Sequence, residues 1–217
     1  PLQKLQFLKS RLNDGIRNMK VSLLRHGKTM ADDIYRGHTD VALSADGLAQ
    51  MQQSFAGFSL SVDYLVSSPL CRCAEFANSI EPKTQLDERL KEISFGDWDG
   101  KLRADIWRAD PEAVSAFWNN PMENSAPNGE TVSQLQTRVM EALHEHVKLA
   151  IAQKSEHLLL VTHGGVIRAI LGAILHMDAK GMFNVNLPYA CVACLKVASF
   201  ENESGQPDYH LSLDFSS

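Results

Sequence analysis

Three short segments carry the residues most able to do chemistry: Leu23-Leu24-Arg25-His26-Gly27, Ser67-Ser68-Pro69-Leu70-Cys71-Arg72 and Val161-Thr162-His163-Gly164-Gly165. Each follows an apolar run of strand length, so each places its polar groups just beyond a strand's carboxyl end, where open α/β sheets bind ligands. Together they bring two arginines and two histidines to one edge, with paired glycines that let backbone N–H groups approach an anion at a helix N-terminus. Arginine binds phosphoryl oxygens bidentately and stays charged. A histidine among such cations loses affinity for its proton, because like charges disfavour the imidazolium, and becomes a neutral nucleophile. A lone strand-end histidine is ordinarily a satisfied polar residue. Two, each accompanied by arginine, form a phosphate-binding constellation.

The elements that position these groups can be read from periodicity. Strands are expected at Lys20 to Leu24, Val62 to Ser67 and Leu158 to Thr162, each followed by a helical pattern, the alternation of a parallel sheet covered by helices. A helix should start after the capping Ser44, and another with Ser68 as N-cap and Pro69 in its first turn, which places Arg72 near that helix's start. A third begins near Thr131, where Leu135, Val139, Leu143, Val147 and Ile151 form one apolar stripe. A fourth follows Gly164. Runs at Cys191 to Phe200 and Tyr209 to Phe215, separated by a Gly- and Pro-containing turn, form a hairpin. Residues 100–129, with Pro111, Pro121 and Pro127 beside Trp107, Phe117 and Trp118, read as a partly helical, cap-like insertion over the active-site end of the sheet. The expectation is a three-layer α/β/α fold with a mostly parallel sheet, one domain over residues 19–217.

Composition agrees with this class. The chain has 217 residues, 44% of them hydrophobic and 22% charged, which is ordinary for a folded water-soluble domain. Net charge is −5 and the first 18 residues are themselves basic, leaving an acidic body without the cationic footprint of a nucleic-acid binder. No run is long and apolar enough for a membrane span. Residues 1–18 lack a signal peptide's apolar core and are expected to be an upstream extension or cloning remnant ahead of Met19; Leu5, Leu8, Leu12 and Ile16 would allow a short amphipathic helix. Cys71, Cys73, Cys191 and Cys194 lack a tight metal spacing and read as free thiols of a reducing cytoplasm, the second pair on opposite faces of a strand spanning Tyr189 to Lys196.

Leu24-Arg25-His26-Gly27-Lys28-Thr29 resembles the signature of the histidine phosphatase superfamily, which includes the cofactor-dependent phosphoglycerate mutases. The likeness extends through Ser67 to Arg72, Leu90-Lys91-Glu92-Ile93-Ser94-Phe95-Gly96-Asp97-Trp98, Asn128-Gly129-Glu130 and Val161 to Gly165, covering essentially Lys20 to Leu213. It implies a phosphoglycerate mutase-like fold, His26 as the nucleophile that becomes phosphohistidine, and Arg25, Arg72 and His163 as holders of the transferring phosphoryl group. Glu92 matches the family's proton donor, and Gly27, Asp32, Arg36, Gly37 and Gly164 fall at substrate-binding positions. No metal or other cofactor is implied. The partner would be a small phosphorylated metabolite, with homodimerisation left open. Phe95-Gly96-Asp97-Trp98 and Tyr35-Arg36-Gly37-His38 look most like the α-ribazole-5′-phosphate phosphatases of cobalamin nucleotide-loop assembly. Lys28 stands where the family often has glutamate. Asp32 stands where an asparagine often contacts phosphate, and it would repel phosphate unless paired with a neighbour such as Arg36.

Trp107, Phe117 and Trp118 could stack on an aromatic leaving group, and Lys101, Arg103 or Arg108 could meet additional negative charge, although aromatic residues in such a segment more often pack it onto the sheet. Asp97-Trp98-Asp99-Gly100 superficially matches an aspartyl-phosphate motif but lacks the apolar strand that motif follows. His144 and His146, two residues apart on a helix, face different directions and cannot chelate together. The competing readings are a phosphoglycerate mutase, a broad-specificity sugar or nucleotide phosphatase of the same superfamily, a magnesium-dependent phosphatase and a non-catalytic phosphate-binding module.

Overall fold

In the computed structural model, residues 17–82, 84–202, 204 and 207–215 are described. Six strands form one sheet: β1 (Arg17–Arg25), β2 (Tyr64–Ser67), β3 (Gln85–Leu86), β4 (His157–Thr162), β5 (Val192–Glu201) and β6 (Pro207–Asp214), in the order β3-β2-β4-β1-β5-β6. The first four are mutually parallel, while β5 and β6 add an antiparallel edge. The helices among the described residues are α1 (Ala45–Ala56), α2 (Cys71–Ile80), α3 (Arg103–Ala109), α4 (Pro111–Asn119), α5 (Val132–Ala152), α6 (Gly164–Ile174) and α7 (Ala179–Asn184).

Alternation along the strands divides the core into two layers. Leu23, Val66, Leu158 and Leu160 pack with Val139, Leu143, Ile167 and Ile170 of α5 and α6. Leu24, Leu65, Leu159 and Val161 point the opposite way, onto Met51 of α1 and Cys73 and Phe76 of α2. Strands buried on both faces read as continuous apolar runs, which is why β4 shows no polar alternation. The three-layer expectation holds.

Local signals fix the helix starts. Ser44 accepts a hydrogen bond from Gly47 N, and Thr131 and Gln134 form a reciprocal capping box at the head of α5. The expected Ser68 cap is corrected: α2 begins at Cys71, and Leu70 occupies the cap position. Ser68 is instead turned towards His163, as described below. The expected strand from Tyr189 to Lys196 is likewise corrected, since β5 begins at Val192 and leaves Tyr189 in a loop. All four cysteines are unpaired.

β1 starts at Arg17, whose Cα pairs with Ser199 of β5, so Arg17 and Asn18 are part of the sheet. The expected amphipathic segment, residues 1–16, lies outside the described residues. The insertion is two short helices, α3 and α4, with Asp110 capping α4 and Pro111 in its first turn. Phe117 packs edge-on against Phe95 and Trp98 and is 2% exposed, so it belongs to the core, whereas Trp107 and Trp118 are half exposed. No described helix is long and apolar enough to cross a membrane.

Candidate active site

The carboxyl ends of β1, β2 and β4 lie side by side, with Arg25 opposite Thr162 and Ser67 opposite Val161. Pairing continues one residue beyond the strands: His26 N donates to Thr162 O at 2.9 Å, and Ser68 N to Val161 O at 2.9 Å. Three chain segments distant in sequence are thereby held at one edge. The rings of His26 and His163 meet edge-on with centroids 5.2 Å apart, and both residues are buried.

The hydrogen bonds assign the ring nitrogens. His26 Nδ1 lies 2.8 Å from Gly27 O, which can only accept, so Nδ1 carries the proton and Nε2 keeps its lone pair. Among the described residues, Nε2 of His26 has no hydrogen-bond partner. Burial first, then the charge of Arg72, with Arg25 and Arg36 contributing less, holds the His26 pKa well below the usual imidazole range; the Gly27 carbonyl only partly opposes this. His163 is depressed by the same two leading causes, burial and Arg72. Both rings are therefore neutral near pH 7.

Arg72 exposes no surface, yet it is well partnered: Nε donates to His163 Nδ1 at 3.2 Å, Nη1 to Thr39 O at 2.9 Å and Nη2 to Gly37 O at 2.7 Å. Five guanidinium N–H groups minus these three leave two for an anion. Because His163 Nδ1 accepts from Arg72, its Nε2 carries the proton and donates to Ser68 Oγ at 2.8 Å. Arg25 lies with its Cζ 4.4 Å from the centre of the Tyr189 ring, donates through Nη1 to Leu187 O, and keeps a buried Nε without a partner among the described residues.

Gly37 thus enters the site through its carbonyl, which anchors Arg72. A Cβ there would lie 2.2 Å from Ile93 O, and one on Gly27 2.0 Å from Gly47 O, so both glycines permit close backbone approach. A Cβ on Gly164 would sit 3.2 Å from Arg25 Nε.

Asp32 is paired, as its placement beside an anion site requires. Its Oδ1 accepts from the Tyr189 hydroxyl at 2.9 Å and faces Arg36 Nη1 at 3.3 Å, and these partners lower its pKa against the opposing effect of desolvation. Arg36 also donates to Tyr189 Oη at 3.0 Å and reaches Thr29 Oγ1 and the Ala31 carbonyl. Lys28 contributes a weaker attraction to Asp32.

Glu92 reaches the site from the loop after the single turn Glu88–Leu90. Its Oε2 accepts from Gly165 N at 3.1 Å, at the N-terminus of α6, and its Oε1 from Ile93 N at 3.0 Å. The loop is held by Arg138 of α5, which donates to the carbonyls of Arg89, Lys91 and Glu92 at 2.6, 2.8 and 3.0 Å and forks onto Glu130. His38 Nε2 donates to the same Glu92 carbonyl at 3.0 Å. Asp99, in the segment that superficially resembled an aspartyl-phosphate motif, accepts from the backbone N–H groups of Gly37, His38 and Phe95 and serves as a loop anchor.

The structure brings His26, His163, Arg72, Arg25, Gly37 and Gly164 together at one sheet edge, and beside the expected residues lie four for which no segment carried a site signal. The sequence marks Ser68 as a helix cap and Tyr189 as strand. Arg138 lay beside the apolar stripe of its helix with nothing to mark it. Arg168, four residues after Gly164, carries a buried Nε without a partner among the described residues and lines one cavity with Glu92. Its spacing of one helical turn from the glycine was the available signal.

Residues 21–205 match the model of the histidine phosphatase superfamily, branch 1. The chain belongs to this superfamily. Among histidine phosphatase relatives, it is 29% identical over 187 residues to the adenosylcobalamin/alpha-ribazole phosphatase of Escherichia coli K12, covering 82% of this chain and 90% of that one. It is 32% identical over 161 residues to phosphoglycerate mutase-like protein 4 of Arabidopsis thaliana, covering 70% of this chain and 69% of that one. The solved alpha-ribazole phosphatase of Shigella flexneri superposes with a TM-score of 0.73 at 26% identity, over 90% of this chain and 95% of that one.

Proposed function

We propose that this histidine phosphatase is a phosphomonoesterase that works through a phosphohistidine at His26 and that its substrate is α-ribazole 5′-phosphate. The observation that carries the reading is the neutral His26 ring, with Nδ1 held by Gly27 O and Nε2 unencumbered, beside the buried Arg72 guanidinium. In the first step Nε2 attacks phosphorus in line, the N–P bond forms and the ester P–O bond breaks. The departing oxygen takes a proton from Glu92. In the second, Glu92 accepts a proton from water as its oxygen attacks phosphorus, the P–N bond breaks and inorganic phosphate leaves. Arg25 and Arg72 compensate charge on the equatorial oxygens through preorganised donors, and His163, whose one N–H goes to Ser68, holds Arg72 in place through Nδ1. The chemistry asks for no metal, so turnover should persist in chelator. Free thiols are consistent with a reducing, cytoplasmic setting.

The ribazole substrate rests on the relatives from Escherichia coli and Shigella flexneri. The Arabidopsis relative favours a second reading, a mutase that returns the phosphoryl group to the product and needs a bisphosphoglycerate primer. Phosphate release is to be measured from α-ribazole 5′-phosphate, 3-phosphoglycerate and a panel of sugar and nucleotide monophosphates, with and without primer, in wild type and His26→Ala. Primer-independent release that is highest for the ribazole ester, with an acid-labile phosphoenzyme absent from His26→Ala, is the expected result. Undiminished turnover in His26→Ala would remove the mechanism, and a strict primer requirement would favour the mutase.

A further inference from the structure

In-line transfer fixes where the rest of the substrate goes. The leaving oxygen departs on the side opposite His26 and must meet Glu92, so the group attached to that oxygen lies beyond Glu92. A cavity of about 140 Å³ has Glu92 in its wall, together with Arg168, Phe117, Trp118, Met182 and Phe183. These come from separate elements: Phe117 and Trp118 from α4, Arg168 from α6, Met182 and Phe183 from α7. Phe117 is buried and forms a fixed wall. Trp118 and Phe183 meet edge-on with ring centroids 5.4 Å apart, and they leave 47% and 39% of their surface uncovered. An exposed aromatic pair that shares a cavity with the Glu92 carboxylate and the Arg168 guanidinium is the make-up of a ligand pocket, mostly apolar with a few convergent polar groups. For scale, an apolar cavity of roughly 150 Å³ accepts a benzene ring.

We infer that this cavity is the leaving-group subsite and that it selects phosphate esters of alcohols bearing a flat apolar ring, with Trp118 and Phe183 as its specificity-determining walls. This rests on the reading of Glu92 as proton donor to the leaving oxygen, and it moves the aromatic contact away from Trp107, which lies outside the cavity. Small, fully polar alcohols such as glycerate would leave both aromatic faces wet.

The test compares 2-phenylethyl phosphate with ethyl phosphate, two esters of similar alkoxide leaving groups that differ by one ring. Wild type should prefer the phenyl ester by about tenfold or more in kcat/KM, as burial of a ring's apolar surface implies. The preference should collapse to about threefold or less in W118A/F183A and persist in Trp107→Ala. A ratio is insensitive to any loss of folded enzyme. Equal use of the two esters by wild type, survival of the preference in W118A/F183A, or its loss in Trp107→Ala would overturn the assignment. Calorimetric binding of both esters to His26→Ala separates the two readings. Tighter binding of the phenyl ester without turnover by wild type keeps the subsite and removes the hydrolytic reading; turnover without discrimination in rate or binding removes the subsite and keeps hydrolysis.

Discussion

Arg72 Nε donates to His163 Nδ1 across 3.2 Å, and neither side chain exposes any surface. One contact therefore sets several properties of the site. It fixes the tautomer of His163, directs that ring's Nε2–H to Ser68, and depresses the histidine's proton affinity. Arg72 Nη1 and Nη2 tie the same cation to the carbonyls of Thr39 and Gly37, so guanidinium, imidazole and loop form a single preorganised unit.

Burial and Arg72 lower the pKa of both His26 and His163. The His26 ring, followed by NMR, should titrate well below about 6.5, and the acid limb of kcat/KM should lie equally low, since the attacking form is neutral. A His26 titration at or above the ordinary value would contradict this electrostatic account. The stability consequence has a definite sign. Below about pH 6.5 unfolded imidazoles take up protons that the folded ones refuse, so Tm should be independent of these two residues above that pH, and their contribution should be lost progressively as pH falls towards the folded values.

Arg138 acts on Glu92 only through the backbone that carries it, and its test is a split between rate and binding. Arg138→Gln should lower kcat by about tenfold to a hundredfold while KM stays within about threefold. Arg138→Lys should fail to restore the rate, because a point-like ammonium cannot reproduce a fork onto Glu130 together with three carbonyl contacts. A rise in KM with unchanged kcat would show that Arg138 serves binding instead.

Tyr189 neutralises the problem that Asp32 poses. Removing its hydroxyl in Tyr189→Phe leaves an under-partnered carboxylate beside the proposed phosphate position and should raise KM about tenfold to 150-fold, the range expected for loss of a hydrogen bond to a charged group. Adding Asp32→Asn should recover much of that loss, because the repelling charge is gone. Steady-state kinetics of the single and double variants decide the matter, and simple additivity would deny the coupling.

Gly165 is required by space. A Cβ at this position would lie 2.2 Å from Glu92 Oε1. Gly165→Ala should therefore displace the carboxylate and reduce kcat by about tenfold to a hundredfold, while Tm changes little, since alanine suits a helix better than glycine by about 1 kcal/mol. An alanine variant with full activity would mean that the position of Glu92 is unimportant to the rate.

The sequence by itself determined the alternation of strands and helices, the edge at which Arg25, His26, Arg72 and His163 meet, and the family. These are legible because they are local: periodicity marks each strand, and parallel strands necessarily present their carboxyl ends together. Helix starts were legible where the cap is a near-neighbour contact, as at Ser44 and Thr131. They failed at Ser68, where a competing partner 95 positions away takes the hydroxyl. The tertiary structure alone decided the supports of the site. Tyr189 reaches Asp32 across 157 positions, and Arg138 reaches Glu92 across 46. The cavity that Glu92 walls exists because α4, α5, α6 and α7 converge around it. No pattern within one segment encodes such meetings, since they depend on how separate elements pack against a shared core.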